Sequence, residues 1–186
     1  QLPTNGGGIV DLDRNYHGWS LRWLHHAVWS FADAELSAEL RDERLSEDRR
    51  GYENFVGQQL GVRGALRRNE TNDSDARDAM LRLDLMPGEA WRLSAGVRRT
   101  LADYRSDDRY IAPGNPDDSG EYISDAWLPV VGASWGFRPQ WQLHGALGRT
   151  QELPTLAELA YREDGDGGFN GALKPARGRQ AELGLA

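Results

Sequence analysis

Arginines and tyrosines recur together in the long polar stretches of this sequence. A guanidinium offers a planar fork of donors that matches carboxylates, and a tyrosine adds a flat ring with a hydroxyl. This combination indicates capture of an anionic, planar or chelated solute. The alternative is that Glu43, Glu47, Asp48 and Glu53 neutralise the first arginines on a solvated surface. The candidate ligand-binding residues are Arg49, Arg50, Tyr52, Arg109, Tyr110, Tyr161 and Arg162.

Metal and covalent chemistry find little support in the sequence. Residues 164–168 begin as an EF-hand loop does, but they lack its fifth-position oxygen and its later glutamate. The second acidic cluster, Asp117 and Asp118, is shorter still. The histidines form no facing i, i+4 pair, and no nucleophile motif or phosphate-cradling loop is present. We therefore expect no metal site, no catalytic residue, no cofactor and no enzymatic activity.

Composition limits the class of protein. The chain has 186 residues, with 22 Lys and Arg against 29 Asp and Glu, a net charge of −7. Its mean hydropathy is −0.69. The acidic balance argues against nucleic acid as a partner, since phosphate binding needs a basic surface. No run approaches the ~18 apolar residues of a membrane-spanning helix, and the lack of cysteine excludes disulfides and thiolate metal sites.

Alternation of apolar and polar residues predicts seven β-strands. The clearest run, residues 32–41, is also rich in helix formers and by itself fits an amphipathic helix equally well. Neighbouring runs with the same period of two favour a strand there. The predicted strands centre on residues 19–23, 32–41, 78–85, 91–98, 131–137, 141–148 and 180–185.

The predicted connections alternate between short and long. Residues 60–68 also alternate, but they must belong to the first long loop if this order is to hold. The aromatic residues flank the short turns and are therefore expected at one end of the sheet. The turns are expected at residues 25–28, 87–90 and 138–140, and the first two long loops at about 42–75 and 105–124.

Together these features are typical of an all-β, antiparallel transmembrane β-barrel, with strands of about ten residues, short turns, long polar loops and an aromatic girdle. A soluble antiparallel sandwich or lipocalin-like barrel is the main alternative, because its strands alternate as well. The loops favour the membrane barrel, since ordinary connections have about 4 to 6 residues.

Three segments resemble a signature of the TonB-dependent outer-membrane receptors. Their order matches the pattern PTLxEL, LKPExS, ELG. Arg177-Gly178 stands where that pattern has a serine, so a different local turn is expected there. Residues 49–57, 64–68, 108–111 and 115–120 resemble in particular the branch that includes the importer of pyrroloquinoline quinone. The signature segments are Pro154-Thr155-Leu156-Ala157-Glu158-Leu159, Leu173-Lys174-Pro175-Ala176-Arg177 and Gln180-Ala181-Glu182-Leu183-Gly184.

This resemblance implies both a fold and a function. Such a receptor is similar to a roughly 22-strand barrel with a plugged lumen. Residues 1–186 are then expected to be an incomplete barrel segment of about seven strands, without plug domain, TonB box or C-terminal closing strand. The implied protein lies in the outer membrane of a Gram-negative bacterium and is surrounded by outer-membrane lipid.

The implied activity is TonB-energised import of a scarce small-molecule substrate. The outer loops capture a pyrroloquinoline quinone-like cofactor or a ferric siderophore, and the TonB complex acts through the plug. The barrel itself holds no cofactor and does no covalent chemistry. A passive outer-membrane channel and a soluble β-sheet binding domain are the alternatives.

Overall fold

The computed structural model describes residues 8–159 and 168–186. Seven long strands form one antiparallel sheet in the order β1-β2-β5-β6-β7-β8-β9, and β3 and β4 form a separate small hairpin. No helix in this part of the chain is both long and apolar enough to cross a membrane. The elements are β1 (Gly8–Val28), β2 (Asp33–Glu53), β3 (Phe55–Val56), β4 (Gln59–Leu60), β5 (Leu66–Met86), β6 (Trp91–Asp108), β7 (Gly120–Arg138), β8 (Trp141–Glu152), α1 (Leu156–Leu159) and β9 (Ala176–Leu185).

The predicted all-β antiparallel architecture is confirmed, and each of the seven predicted strands falls within one strand of the sheet, apart from Ala32, which precedes β2. The turn at residues 87–90 also lies where the pattern places it, and of the turn predicted at 138–140 only residues 139–140 are outside the strands, because β7 ends at Arg138. Residues 60–68 are predicted to belong to a loop and not to a strand of the main sheet. This prediction is correct for residues 60–65 and wrong for residues 66–68, because β5 begins at Leu66.

Five of the strands are about twice as long as predicted, with 21 residues in each of β1, β2 and β5, 18 in β6 and 19 in β7. With 12 and 10 residues, β8 and β9 are close to the predicted length. The long loops predicted at 42–75 and 105–124 are therefore wrong at both ends, and the actual connections are residues 54–65 and 109–119. The first turn is residues 29–32 and not 25–28, because His25 still pairs with Leu36 and His26 with Glu35. The strands continue after the apolar alternation stops.

Side chains segregate onto an apolar face and a polar face, because residues in register on antiparallel strands point to the same side. Leu36 pairs with Leu83, Leu83 with Ala95, Ala95 with Val131, and Val131 with Leu147. This row crosses five strands without a polar residue. Within the described chain no second layer packs on it.

The apolar band is the part of the apolar face that lies, on β7, between Trp127 and Phe137. Ten residues at ~3.3 Å each, tilted by about 45°, give a height of about 23 Å. This height is close to the roughly 25 Å apolar zone of an outer-membrane barrel. The predicted aromatic cluster at the turns is confirmed, with the rings of Trp91 and Trp135 stacked 5.4 Å apart. The prediction missed a second level, where Trp19 and Trp127 mark the opposite edge.

A small core lies on the polar face, beneath the described parts of the connection after β8, residues 153–159 and 168–175. Leu159 has no exposed surface, and Tyr122 is only 4% exposed. The Phe169 N–H donates to the Asp118 carbonyl at 3.3 Å. A Cβ at Gly120 would collide with the Phe169 ring, so only glycine fits there. Phe169 thus holds the described end of this connection against the start of β7.

The ladder between β7 and β8 is incomplete. Its last pair is Val130 with Gly148, and the next residue on β7 is Pro129. Proline has no N–H to donate, which is why it is found where strand pairing ends. Beyond this point the two strands separate, and a cleft of about 400 Å³ opens between them.

Candidate functional site

A cluster of charged residues, which we call the rim network, lies on the polar face near the long connections. Strand register brings it together, since Arg14 pairs with Glu47 across β1 and β2, and Arg49 with Glu70 across β2 and β5. Its members are Arg14, Glu47, Arg49, Arg68, Glu70 and Asn72.

Two carboxylates organise this network. Glu47 accepts from Arg14 Nε at 2.9 Å. Glu70 accepts from Arg68 and from the Asn72 amide, the latter at 3.0 Å, and lies 3.7 Å from the Arg49 guanidinium. Glu47 and Glu70 are only 5% and 7% exposed, and carboxylates buried to this degree require paired charge. The carboxylates therefore hold the three arginines in place.

The rim network has a net positive charge, because three guanidiniums face two carboxylates. Each guanidinium has five N–H donors, and Arg49 makes a single long contact. Donors therefore remain available toward the open side of the polar face. An anionic group with two or more oxygens matches this geometry.

The structure separates the predicted residues of β2. Arg49 belongs to the rim network, whereas Arg50 lies on the apolar-face side, in register with Asp11. Tyr52 has the Arg63 guanidinium 3.6 Å from its ring centre, and Arg63 also pairs with Asp11 at 3.2 Å. Arg50 and Tyr52 thus lie at the rim but on the other side of the sheet from Arg49.

The next predicted pair borders the connection of residues 109–119. The Arg109 N–H donates to the Asn69 carbonyl at 2.7 Å, and its side chain contacts Asp107 at 3.2 Å. The Tyr110 N–H donates to Asp108 at 2.9 Å. Asp108 pairs with Glu70 in the sheet, so Tyr110 is linked to the rim network.

Tyr161 and Arg162 lie outside the described residues. The alternative is that nearby acidic residues neutralise the arginines. An acidic residue does contact Arg49, but it is not one of the four that the alternative names. The acid that contacts Arg49 is Glu70, while Glu47 faces Arg14 and Asp48 accepts from the Thr71 hydroxyl. Arg14 and Glu70 were not among the predicted residues, because only the long-range register reveals them.

The acidic pair Asp117 and Asp118 has an internal structural role. The Ser119 hydroxyl and N–H hydrogen-bond to Asp117 and lower the pKa of its carboxyl. The Asp118 N–H donates to Asp108 at 3.3 Å, which closes the loop. No cluster of three metal-binding side chains occurs within residues 8–159 and 168–186. Most of the other acidic cluster, residues 164–167, is outside these ranges.

Below the rim network, the polar face continues as a wall of paired charges. Arg98 donates twice to Asp78, at 2.8 and 2.7 Å, and the Thr100 hydroxyl donates to the same carboxylate at 2.7 Å. Arg82 makes a similar double contact with Asp84. A wall of this kind suits a water-filled or plugged interior and excludes a packed apolar core.

The first signature segment forms a capping box at the start of α1. The Thr155 N–H donates to the Glu158 carboxylate at 2.7 Å, and the Glu158 N–H donates to the Thr155 hydroxyl at 3.3 Å. The bonds from Thr155 lower the pKa of Glu158. The Leu159 carbonyl accepts from the Asn170 N–H at 2.6 Å. Pro154 and Leu159 are buried, so the segment anchors the connection.

The other signature segments belong to the entry into β9 and to the strand itself. Leu173, Lys174 and Pro175 lead into β9. The different turn expected at Arg177-Gly178 is wrong, because both residues are within β9, where Gly178 pairs with Thr150.

The end of the signature packs against His144 of β8. Glu182 lies 3.6 Å from the His144 ring on the polar face, while Leu183 points to the apolar face. The ring covers Gly184, where a Cβ would collide with it. The sequence Glu-Leu-Gly thus corresponds to one polar contact, one apolar-face residue and one site that has room only for glycine.

Comparison with known proteins agrees with this architecture. The fold is similar to the crystal structure of the ferric citrate transporter FecA in its unliganded form, with a TM-score of 0.73 and 17% identity, covering 96% of this chain and 26% of that chain. It is also similar to the ferric-catecholate import receptor Fiu from Escherichia coli K12 in its closed form, with a TM-score of 0.68 and 12% identity, covering 95% and 29%.

The chain thus spans less than a third of the length of either structure. At these identities the similarity establishes a shared fold. The family described as "TonB dependent receptor-like, beta-barrel" matches residues 3–186, which is nearly the whole chain. The chain therefore belongs to the TonB-dependent receptor β-barrel family, whose members are outer-membrane proteins of Gram-negative bacteria.

Proposed function

We propose that this chain forms part of the wall of a receptor that imports a scarce anionic or chelated solute with energy from the TonB complex. The observation that carries the proposal is the rim network. It holds three arginines on the polar face, next to the long connections, and their guanidiniums have N–H donors that remain available to a solute. These guanidiniums lie where a solute that arrives from the loop side would enter the polar face.

Two solutes fit this site. Pyrroloquinoline quinone is an aromatic tricarboxylate, which matches arginine forks and tyrosine rings. The resemblance of residues 49–57, 64–68, 108–111 and 115–120 to the branch that includes its importer supports it. A ferric siderophore is the second candidate. It is supported by the similar folds of a ferric citrate transporter and a ferric-catecholate import receptor.

Arg49 and Tyr110 are the proposed primary contacts, because Arg49 belongs to the rim network and Tyr110 is linked to it through Asp108. Arg50, Tyr52 and Arg109 are proposed to contact the solute at the rim, together with Tyr161 and Arg162. The wall acts by binding and orienting the solute, and the transport step requires no covalent chemistry.

We further propose that residues 1–186 are one part of a barrel of about 22 strands, with the plug encoded elsewhere in the gene. The TonB complex would act on that plug. The wall described here would then supply the capture site, and the pulling step would lie outside it.

Uptake by the complete receptor tests this function. Radiolabelled pyrroloquinoline quinone and a ferric siderophore are supplied to cells that express the receptor, with and without functional TonB. Uptake of one of them that requires TonB is the expected result. Uptake that is indifferent to TonB would contradict the energised mechanism and favour a passive channel.

The Arg49→Ala variant tests the site. Loss of a charge-assisted hydrogen bond at the rim network is expected to weaken solute affinity by roughly 10- to 100-fold. Arg44→Ala is a matched control, since Arg44 lies on the same strand but on the other face, paired with Asp42. Equal affinities for the two variants would remove Arg49 from the capture site.

A further inference from the structure

Arginines border the upper edge of the apolar band, where the outer wall leaves the membrane. On β2 to β7 these arginines have carboxylate partners on the same face. Such pairs need no external counter-charge. They are Arg44 with Asp42 at 3.2 Å, Arg77 with Asp42 at 3.2 Å, Arg99 with Asp125 at 2.8 Å and Arg105 with Glu121 at 3.4 Å.

Strands β8 and β9 break this rule. The apolar band ends there at the pair of Leu147 and Ala181, and in the next pair on the same face, two residues further along, Arg149 lies directly opposite Arg179. Like charges directly opposite each other on neighbouring strands are destabilising. Neither arginine has a carboxylate partner within residues 8–159 and 168–186. This position therefore favours an anion from outside the sheet.

The cleft between β7 and β8 gives such an anion a place to bind. Arg149 and Arg179 line it, together with Arg177, Asp125 and Trp127. The Asp125 carboxylate is already paired with Arg99, from which it accepts two hydrogen bonds at 3.1 and 2.8 Å.

Arg177 completes the electrostatics of the cleft. It lines the same cleft, and the period of two places it on the same face of β9 as Arg179. Three guanidiniums and one carboxylate, that of Asp125, therefore line this cleft.

We infer that Arg149 and Arg179 bind the phosphorylated headgroup of a lipid in the outer leaflet. Guanidinium pairs suit phosphate oxygens, and Trp127 lies at the same edge, where indoles meet membrane headgroups. Directly below, Leu147, Leu143 and Leu183 present an apolar surface to an acyl chain. A lipid could contact both the arginine pair, through its phosphate, and the leucine surface, through its acyl chain. Free phosphate could contact only the arginines, so the site favours a lipid.

The inference rests on the proposed membrane placement, with the long connections facing outward, but not on the identity of the solute. The test uses the complete receptor, purified in detergent and probed with lipopolysaccharide. Binding is measured for the wild type and for the Arg149→Gln, Arg179→Gln double variant. The double variant is expected to bind on the order of 10- to 100-fold more weakly.

Two controls make the result decisive. The Arg44→Gln, Arg105→Gln double variant removes the same charge from the outer wall, but at arginines that already have partners. It should bind as the wild type does. Wild-type receptor should also bind phosphatase-treated lipopolysaccharide as weakly as the Arg149→Gln, Arg179→Gln variant binds the intact lipid. Heat-modifiable migration in gels reports that each barrel is folded.

Three results would overturn the inference. The first is unchanged binding by the Arg149 and Arg179 variant, which would mean that carboxylates elsewhere in the receptor neutralise the pair. The second is an equal loss in both double variants, which would indicate general charge attraction. The third is equal binding of phosphorylated and dephosphorylated lipid by the wild type. Solute uptake, measured separately, reports on the proposed function and not on this site.

Discussion

The turn-proximal and loop-proximal halves of the sheet share the same strands but differ in their side chains. In the turn-proximal half, one face is apolar and the other polar, as in the row that contains Leu36 and Val131. In the loop-proximal half, both faces are polar, with Asp73 and Asp103 on one and Glu70 on the other. Backbone pairing continues unchanged across the boundary. The surrounding medium, and not the hydrogen-bonded ladder, therefore dictates the side-chain pattern.

The largest predicted effect tests this difference on β7. Val131→Arg places a charge within the apolar band and is expected to destabilise the folded receptor in lipid by about 2–4 kcal/mol. Ile123→Arg places the same charge on the same face of the same strand, eight residues nearer the loops. It is expected to cost about 0–1 kcal/mol. Denaturant titration of the complete receptor in vesicles measures both values.

Equal costs for the two arginine variants would contradict the comparison. They would mean that lipid contacts the whole length of β7, or none of it. A neutral pair, Val131→Ala and Ile123→Ala, corrects for the lost side chain. Only the difference that remains after this correction reports on the membrane.

A second prediction concerns the polar face of β9. Gly184→Ala forces its Cβ into the His144 ring, and the ring must turn away, at an expected cost of about 1–2 kcal/mol. Gly178→Ala, on the same face of β9 in the loop-proximal half, meets the hydroxyl of Thr150. A hydroxyl rotates more easily than an imidazole ring, so this variant should cost less.

The double variant Gly184→Ala, His144→Ala identifies the cause. Removing the ring makes room for the new methyl group, so the added cost of the Gly184 change should disappear. Denaturant titration in the same vesicles provides the measurement. If the cost persisted without the ring, backbone conformation and not side-chain contact would explain the glycine.

The third prediction concerns the connection after β8. Thr155→Ala removes the capping hydroxyl of α1 and is expected to destabilise this segment by about 1 kcal/mol. Hydrogen exchange at the Leu159 N–H, which bonds the Thr155 carbonyl, reports the loss. Exchange at strand amides such as Val131 should not change. Faster exchange at both positions would show that the cap supports the sheet and not merely the loop.

The smallest effect is a pH dependence confined to the same cap. Hydrogen bonds from Thr155 lower the pKa of Glu158, so the ionised carboxylate contributes stability above its ordinary value of about 4.3. That contribution is lost as the pH falls through the lowered value. Protection of the Leu159 amide, corrected for intrinsic exchange, should therefore decrease only in acid. In Glu158→Gln this acid transition should be absent.

Sequence reasoning identified the turn-proximal half because lipid imposes a pattern there. Val131 and Trp135 alternate with small residues, and that alternation marks a strand. Beyond the apolar band, water covers both faces, and residues such as Asp13, Arg14 and Asn15 show no alternation although they are paired in β1. Strand ends are therefore not visible in the composition of the chain.

The candidate site was predicted only in part for the same reason. Residue type indicated Arg49, but its face and its partner depend on the strand register, which pairs Arg49 with Glu70, 21 positions further along the chain. The separation of Arg49 from Arg50 follows from the period of two once the strand is known to extend that far. Without that extension, the two residues look equivalent.

The strand order has a consequence for how such walls change during evolution. Each long strand pairs only with its neighbours in the order of the sheet, through hairpins closed by short turns or long connections. Duplication or deletion of a whole hairpin leaves every other register intact. A wall of this kind can grow or shrink in steps of two strands, while each connection diversifies independently toward a new solute.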